Sequence, residues 1–514
     1  MKHGLRTLIL AAPLAALPQA ASAGEFVDTR LVFVLGDDDF LHDAGTTVPS
    51  SPRPDIGERT GNDTFYDQRE GTETGRDSRT HLVLHKKVNG YFEGLTTEAA
   101  VVLELNHTRL LANDARSLQD DGTYLRLAQK FGENTARLTL LPFNSDRVRL
   151  GHYWDVTFGG KGVFPGTAPV PGALAEFQSE YFGVTGALKT TRLPYNTADE
   201  DPRKGQLEVF YGAFGGLRGG RENEGIRLDL QGGYFQKGTN PNGAVRGEEV
   251  NAWGFNGRVS YADGLPFEAS NDTRLYTLDA ALPFADYSKS SAAVSFRAAL
   301  EVSSVGQILE DPERVGGTTE ELGLAGVLHG DVLMGHLRLG AAGIYRDLGF
   351  LFFNGPGGNR RFQAMPEDLQ TKPEAVGIVK VLYHLADLHL TPILELGVQQ
   401  PPAASNLAPN AGIHAPAALG GRRTVVYRRS DMFEDTGLLT PVFLPDDADT
   451  VPNYGARLTL QLDLGPGFSV LAALTALQDN NRGELVQDAL QVNDVRRFQD
   501  AVSLGAALVA RAEF

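Results

Sequence analysis

The pattern that most constrains the fold is a strict alternation of apolar and polar residues at 457–464. Every even position there is Leu, and the odd positions are Arg, Thr, Gln and Asp. Successive side chains of a β-strand point to opposite faces, so the segment predicts a strand with one aliphatic and one polar face. The same alternation recurs at 226–231 and 294–302, where a helix would distribute the charges around its axis. The chain is therefore predicted to be all-β.

The N-terminus has the pattern of a secretory signal peptide. Lys2 and Arg6 precede an apolar stretch at 8–17, and small residues of the Ala-Ser-Ala type follow it. Such a stretch is too short to span a bilayer, and the small residues match a cleavage site. We predict a signal peptide at 1–23 and a single mature domain at 24–514. An uncleaved membrane anchor is the alternative.

Composition excludes several classes of protein. The chain contains 59 Gly among 514 residues, which is high for a helical protein. It has no Cys, so disulfides, thiolate metal sites and Cys nucleophiles are excluded. Its formal net charge is −17 and it has no basic stripe, so nucleic acid is not an expected partner. After residue 24 there is no long apolar run, so membrane crossing would require a barrel of alternating strands.

The C-terminal segment 502–514 alternates up to the last residue. Leu504, Leu508 and Phe514 lie on one apolar face, with Arg511 and Glu513 on the other. This segment resembles the C-terminal strand of Gram-negative outer-membrane β-barrel proteins, which typically end in an aromatic residue. The resemblance implies a location in the outer membrane, contact with outer-membrane lipids, and recognition by the barrel-assembly machinery through this strand.

We therefore expect a porin-like transmembrane antiparallel β-barrel of about 16 to 18 strands. About nineteen segments read as candidate strands, among them 135–141, 148–158 and 319–329. The least regular are those within 135–158 and the one at 272–281, and a single-chain bacterial barrel should have an even number of strands. The long polar connection 37–79 is expected on the extracellular side. The Pro/Ala-rich insert 399–452 is interpreted as a large surface loop, with an inward constriction as the alternative.

The polar faces of the predicted strands should point into the barrel. They supply candidate lumen-lining residues of both signs: Glu98, Glu104, Arg126, Lys130, Arg227, Asp229, Arg297, Glu301, Arg338, Glu395, Arg457 and Asp463. Rings of charged side chains set ion preference in pores. The alternative is that these charges pair with one another and only hold the wall together.

An acidic cluster follows the first predicted strand. Asp37, Asp38, Asp39 and Asp43 are weak candidates for a divalent cation, since Ca²⁺ prefers carboxylate and carbonyl oxygens. The cluster lacks the ligand spacing of an EF-hand, and a solvated loop is the favoured interpretation. We predict no cofactor and no metal site.

A barrel of 16 or more strands encloses an aqueous lumen, so the leading hypothesis is a passive channel for small hydrophilic solutes or ions. An outer-membrane barrel for polymer export or envelope assembly, within a complex of envelope proteins or as a homo-oligomer, is the second hypothesis. A surface-exposed enzyme or adhesin is the third. No motif of the Gly-x-Ser-x-Gly or His-Glu-x-x-His type is present, so catalysis is not predicted, although a catalytic group assembled from separate strands would show no sequence spacing.

Overall fold

A computed structural model of the chain describes residues 27–37, 39–40, 76–107, 110, 117–145, 148–160, 163, 170–197, 201–221, 224–241, 243–267, 294–353, 362–366, 369–406, 423–428, 440–445, 447–465, 467–487, 494–498 and 500–513. The predicted signal peptide at 1–23, the predicted strand at 272–281 and the terminal Phe514 lie outside these residues.

Almost all of the regular structure is β-strand. In chain order the strands are β1 (Asp28–Asp37), β2 (Arg76–Asn89), β3 (Leu95–Asn106), β4 (Leu118–Asp120), β5 (Tyr124–Phe131), β6 (Asn134–Leu141), β7 (Gly172–Gln178), β8 (Phe182–Pro194), β9 (Leu207–Gly220), β10 (Gly225–Thr239), β11 (Glu249–Asp263), β12 (Ser295–Glu310), β13 (Thr318–Met334), β14 (Leu337–Arg346), β15 (Gln370–Lys372), β16 (Glu374–Tyr383), β17 (Leu390–Gln400), β18 (Ala403–Asn406), β19 (Arg423–Arg428), β20 (Thr440–Phe443), β21 (Asn453–Gly465), β22 (Phe468–Gln478), β23 (Gly483–Gln487), β24 (Asp494–Phe498) and β25 (Val502–Glu513).

The described helices are short. They comprise α1 (Leu348–Leu351) and the 3-10 turns Trp154–Val156, Gly243–Val245 and Ala386–Leu388. Within the described part of the chain, no helix has the length and apolar character needed to cross a membrane.

The main sheet closes on itself. β1 pairs antiparallel with β2 on one side and with β25 on the other. The pairing of β1 with β25 runs from Arg30 opposite Glu513 to Asp37 opposite Ala506. β4 and β5 both pair with β3 and share one position in the wall. The result is a closed antiparallel barrel of 18 strands. The predicted fold class is confirmed, with the strand number at the upper end of the expected range.

The two ends of the barrel differ in their connections. At one end β5 and β6 are joined by two residues, and so are β13 and β14. Gly132 and Gly335 occupy these turns with φ of +61° and +58°, a conformation that favours glycine. Three of the four connections of 30 or more residues lie at the opposite end, namely 38–75, 142–171 and 401–452, whereas 264–294 lies at the first end. Because short turns are periplasmic and long loops extracellular in such barrels, this second end faces outward from the cell.

The aliphatic faces of the strands form the outer surface of the barrel. On β21, Leu458 and Leu460 are each 41% exposed, whereas the alternate residues Thr459 and Gln461 are buried. On β25, Leu504 and Leu508 belong to the same outward register, and Leu508 is exposed. A closed barrel with this exterior leaves its apolar side chains to lipid and satisfies its backbone between strands.

The predicted strand at 148–158 is wrong. Leu150 and Phe158 bridge only each other, and a 3-10 turn lies between them. The connection from β6 to β7 instead folds into the barrel, where Leu150, Val156 and Phe158 are buried. Strand prediction failed because this segment is apolar for packing within the barrel, not for an outward face toward lipid.

The insert at 399–452 contains regular structure. β17 runs to its second residue, and β18, β19 and β20 form a four-stranded sheet with β15. Ala404 and Val425 of this sheet are fully buried in a cluster with Leu348 and Phe352 from the α1 region. The described part of the insert is thus a packed sheet and not an irregular surface loop.

Candidate functional site: the inward face of the barrel

All of the predicted lumen-lining residues lie in the inward register of their strands, opposite the exposed aliphatic positions. These residues are Glu98 and Glu104 of β3, Arg126 and Lys130 of β5, Arg227 and Asp229 of β10, Arg297 and Glu301 of β12, Arg338 of β14, Glu395 of β17, and Arg457 and Asp463 of β21. Most are largely buried, and Lys130 is exposed beside the turn to β6. Placement in this register follows from the two-residue period alone.

One carboxylate cluster centres on Glu98. Its Oε1 accepts a hydrogen bond from the Tyr124 hydroxyl and lies 3.2 Å from Nε2 of His85 and 3.6 Å from Nη1 of Arg126. These partners come from β2 and β5, on either side of β3, so the cluster joins three neighbouring strands of the wall.

A second cluster centres on Asp229. Arg218 Nε lies 2.8 Å from Oδ1, and Arg227 Nε lies 3.0 Å from Oδ2. The ring of His152, from the inward-folded connection, brings its Nε2 to 3.8 Å from Oδ1. Two strands and the connection thus meet at one carboxylate.

Asp331 on β13 is an inward residue that the sequence analysis missed. Arg297 Nε donates to its Oδ2 at 2.7 Å, and Arg338 Nη2 donates to the same oxygen at 2.8 Å. The predicted strand at 319–329 ended before this residue. The alternation continues to Met334, and extending the strand along that pattern would have found it.

Glu395 of β17 lies between two cations. Arg457 Nη1 is 3.6 Å from its Oε2, and Lys380 Nζ is 3.9 Å from its Oε1. Asp463 accepts a hydrogen bond from Gln461 Nε2 at 3.2 Å. The inward charges thus occur largely as networks of opposite sign.

We call the described residues of the β6–β7 connection, 142–145, 148–160, 163 and 170–171, the inward segment. Backbone nitrogens of His152 and Tyr153 donate to Glu301 at 2.7 and 3.0 Å. Gly151 N donates to Gln231 Oε1 at 2.7 Å. These wall residues belong to the inward register of β10 and β12, so the segment lies inside the barrel.

Two further basic residues hold the inward segment. Lys189 of β8 donates from Nζ to the carbonyl oxygens of Val148 and Gly159, each at 2.8 Å. Arg346 of β14 donates to the Asp155 carbonyl oxygen at 3.2 Å and also pairs with Glu374 of β16. Strands on different sides of the segment therefore fix its path.

The inward segment also has apolar contacts. Phe158 packs edge-on against Phe353 at 5.7 Å and Phe350 at 6.4 Å between ring centroids. Both partners follow β14 in the α1 region. Together with Leu150 and Phe235 they belong to one buried apolar cluster inside the barrel. Part of the interior is therefore filled by protein.

Burial controls the charge of the His152 ring. Desolvation, reinforced by the positive charge of Arg258, holds the pKa of His152 well below its usual range, although Asp229 acts in the opposite sense. The imidazole is consequently neutral at physiological pH.

The acidic cluster after β1 is only partly described, because Asp38 and Asp43 lie outside the described residues. Asp37 Oδ1 accepts a hydrogen bond from the backbone nitrogen of Asp39 at 3.0 Å. Among the described residues, no group of three or more His, Asp or Glu could hold a metal ion.

A closed 18-strand barrel with an aliphatic exterior and charged inward networks is an outer-membrane β-barrel, and the protein is located in the Gram-negative outer membrane. No protein-family model matches the chain, and no curated protein matches it.

Several solved structures are similar to the chain. OccK3 (OpdO) of Pseudomonas aeruginosa is 10% identical, with 95% of each chain covered and a TM-score of 0.41. A BenF-like porin from Pseudomonas fluorescens Pf-5 is 8% identical, with 95% of this chain and 97% of that chain covered and a TM-score of 0.43. OmpT, an outer membrane protein of Vibrio cholerae, is 10% identical, with 95% and 97% covered and a TM-score of 0.34.

Proposed function

We propose that the protein is a channel through which small hydrophilic solutes or ions diffuse across the outer membrane. The observation that carries this proposal is the partial exposure of charged side chains on the inward face. The side chains of Arg218 and Arg457 are 28% and 29% exposed although both lie in the inward register. Water therefore reaches the interior beside these groups, which a fully packed barrel would not permit.

The paired charges suit the passage of polar solutes. Opposed basic and acidic groups, such as Arg457 and Glu395, order water and lower the electrostatic cost of a charged or hydroxyl-bearing solute. They disfavour apolar solutes, which would displace that water without replacing its hydrogen bonds. The inward segment occupies part of the interior, so the proposed passage runs beside it and past these charges.

Single-channel recording of refolded protein, residues 24–514, in planar bilayers tests the proposal. We expect stable conductance steps and, under a salt gradient, a reversal potential that reports the ion preference. Protein that inserts as a heat-resistant barrel and never conducts would overturn the channel proposal.

The second candidate is a barrel for polymer export or envelope assembly. It is favoured by the buried apolar cluster around Phe158. This cluster fills part of the interior, as a barrel without an open pore would require. This alternative predicts no basal conductance, and conductance only after removal of the inward segment. The same recordings therefore distinguish the two candidates.

A further inference from the structure

The outer surface near the extracellular end carries a hydrogen-bonded trio of side chains. The His107 ring lies between two hydroxyls of β2, with Nδ1 at 2.8 Å from Ser78 Oγ and Nε2 at 3.0 Å from Thr80 Oγ1. Residues two apart on a strand share a face, so the ring reaches both hydroxyls at once. A hydroxyl hydrogen-bonded to an imidazole whose second nitrogen is held by a third group is the arrangement of an activated nucleophile.

The trio faces lipid and not the lumen. The alternate β2 residues Arg79, His81 and Val83 are buried on the inward face, so Ser78 and Thr80 belong to the outward face. Leu84, farther along that outward face, is 37% exposed.

An aromatic contact from β1 confirms this placement. Phe33 is the strand partner of Thr80, and its ring stacks on the His107 ring with 5.9 Å between centroids. Residues opposite one another in an antiparallel pair point to the same side of the sheet, so Phe33, Thr80 and the His107 ring all lie on the outside of the wall.

The trio lies near the extracellular end of the wall. Ser78 is the third residue of β2, which begins at Arg76 directly after the long extracellular connection. At about 3.3 Å per residue, its Cα stands about 7 Å below the end of the strand. An outward side chain at this level, just inside the extracellular end of the wall, can meet lipids of the outer leaflet.

We propose that Ser78 and His107 form the nucleophile and general base of a hydrolase for fatty-acyl esters of outer-leaflet lipids. Nδ1 of His107 accepts the proton of the Ser78 hydroxyl as Oγ attacks the ester carbonyl carbon. The tetrahedral adduct then collapses, and the lipid alcohol leaves with the proton returned from Nδ1. Water, deprotonated by the same nitrogen, then attacks the acyl-serine, and the Oγ–acyl bond breaks as Nδ1 returns the proton to Ser78 Oγ and the fatty acid leaves.

Thr80 is a positioning residue in this scheme. Its Oγ1 accepts a hydrogen bond from Nε2–H of His107, which fixes the tautomer that leaves Nδ1 free to accept from Ser78. This activity is independent of the proposed channel, because the trio lies on the opposite side of the wall from the lumen.

The test measures fatty-acid release by the whole refolded protein in two vesicle preparations, one of phosphatidylethanolamine and one containing lipopolysaccharide. Release from either supports the proposal, and the preparation that is cleaved identifies the lipid. Ser78→Ala should lower release by about 10²-fold or more, the usual contribution of such a group, whereas Ser304→Ala, at an outward serine of β12, should leave it unchanged. A fluorophosphonate probe should label Ser78, as located by mass spectrometry.

Thr80 variants separate positioning from simple packing. Thr80→Ser should retain release, whereas Thr80→Val should lower kcat and shift the pH profile of release, because the tautomer is no longer fixed. Wild-type protein that releases no fatty acid from either preparation, or Ser78→Ala protein that keeps full release, would overturn the proposal. Every variant should keep the heat-modifiable electrophoretic mobility of the wild type, which confirms an intact barrel whether or not the protein conducts.

Discussion

Glu301 joins the barrel wall to the segment inside it, since its Oε1 accepts a hydrogen bond from the backbone nitrogen of His152 at 2.7 Å. Its other oxygen accepts from Tyr153 N, and Asn256 Nδ2 also donates to Oε1 at 2.8 Å. Hydrogen bonds to a charged group contribute about 1.5–3 kcal/mol each. One buried carboxylate of β12 therefore has a large part in setting how far the inward segment narrows the barrel.

Glu301→Gln should loosen the inward segment. Both carboxylate oxygens of Glu301 accept hydrogen bonds from backbone N–H groups. A glutamine side chain has only one acceptor oxygen, and its NH₂ group would face a backbone N–H, at a cost of about 1–3 kcal/mol. We expect larger and noisier single-channel conductance and a lower unfolding temperature. Glu320→Gln, at an exposed outward position of β13, is the matched control and should change neither quantity. Unchanged conductance and noise in Glu301→Gln would contradict the assigned role.

Gly254→Ala should displace the Phe158 ring from its packed position against β11. A Cβ at Gly254 would stand 2.4 Å from Cε2 of Phe158 and 2.9 Å from the carbonyl oxygen of Ser304. Overpacking of this kind costs about 1–3 kcal/mol. The urea midpoint of the variant should fall, and its conductance should differ from wild type. Gly343→Ala, where nothing lies within 4 Å of the added Cβ, should behave as wild type.

The free energy of unfolding should fall as the pH drops below about 6.5, because the His152 ring is protonated in the unfolded chain and neutral in the folded protein. The pKa of its ring is lowered in the folded protein, mainly by burial, and returns to about 6.5 on unfolding. The unfolded chain then binds a proton that the folded protein does not, and the free energy of unfolding declines by at most about 1.4 kcal/mol per pH unit.

Urea unfolding of His152→Gln at pH 7.5 and 5.0 checks this dependence. The variant should lose less stability between the two values than wild type does. His336→Gln, at an exposed histidine of the β13–β14 turn, should keep the wild-type dependence. Equal losses in wild type and His152→Gln would show that the ring does not contribute.

Arg457→Gln should move the ion preference toward cations. It removes a partly exposed inward positive charge and leaves Glu395 with less compensation. Unit charges at contact in water interact by about 1 kcal/mol, so the permeability ratio should change by roughly two- to fivefold. Reversal potentials under a salt gradient measure this ratio. Arg314→Gln removes the same charge from an exposed residue of the β12–β13 connection and should leave the ratio unchanged.

The sequence predicted the wall of the barrel well. The alternation at 457–464 assigned Leu458 to the exterior and Arg457 to the interior, and the structure has both on those faces. This prediction succeeded because the two-residue period is a local property of extended backbone that needs no distant partner. Asp331 was missed only because its strand was ended too early.

The contents of the barrel were not predictable in the same way. The segment around Leu150 and Phe158 has apolar residues at strand-like spacing, but these residues pack inside the barrel. Local periodicity does not distinguish an apolar residue that faces lipid from one that faces a protein interior. The insert at 399–452 likewise contains short strands that only pairing with β15 and packing against α1 reveal.

The amino-acid sequence by itself determined most strands of the wall and their two faces, because backbone geometry alternates side chains regardless of what surrounds them, and the resemblance of its C-terminal segment implied a barrel. The tertiary structure decided which groups meet. Glu301 reaches His152 across 149 positions of the chain, and Ser78 reaches His107 across 29, only after the strands pair in register and the connections fold back. Contacts of that kind depend on closure of the whole sheet, and no local pattern encodes them.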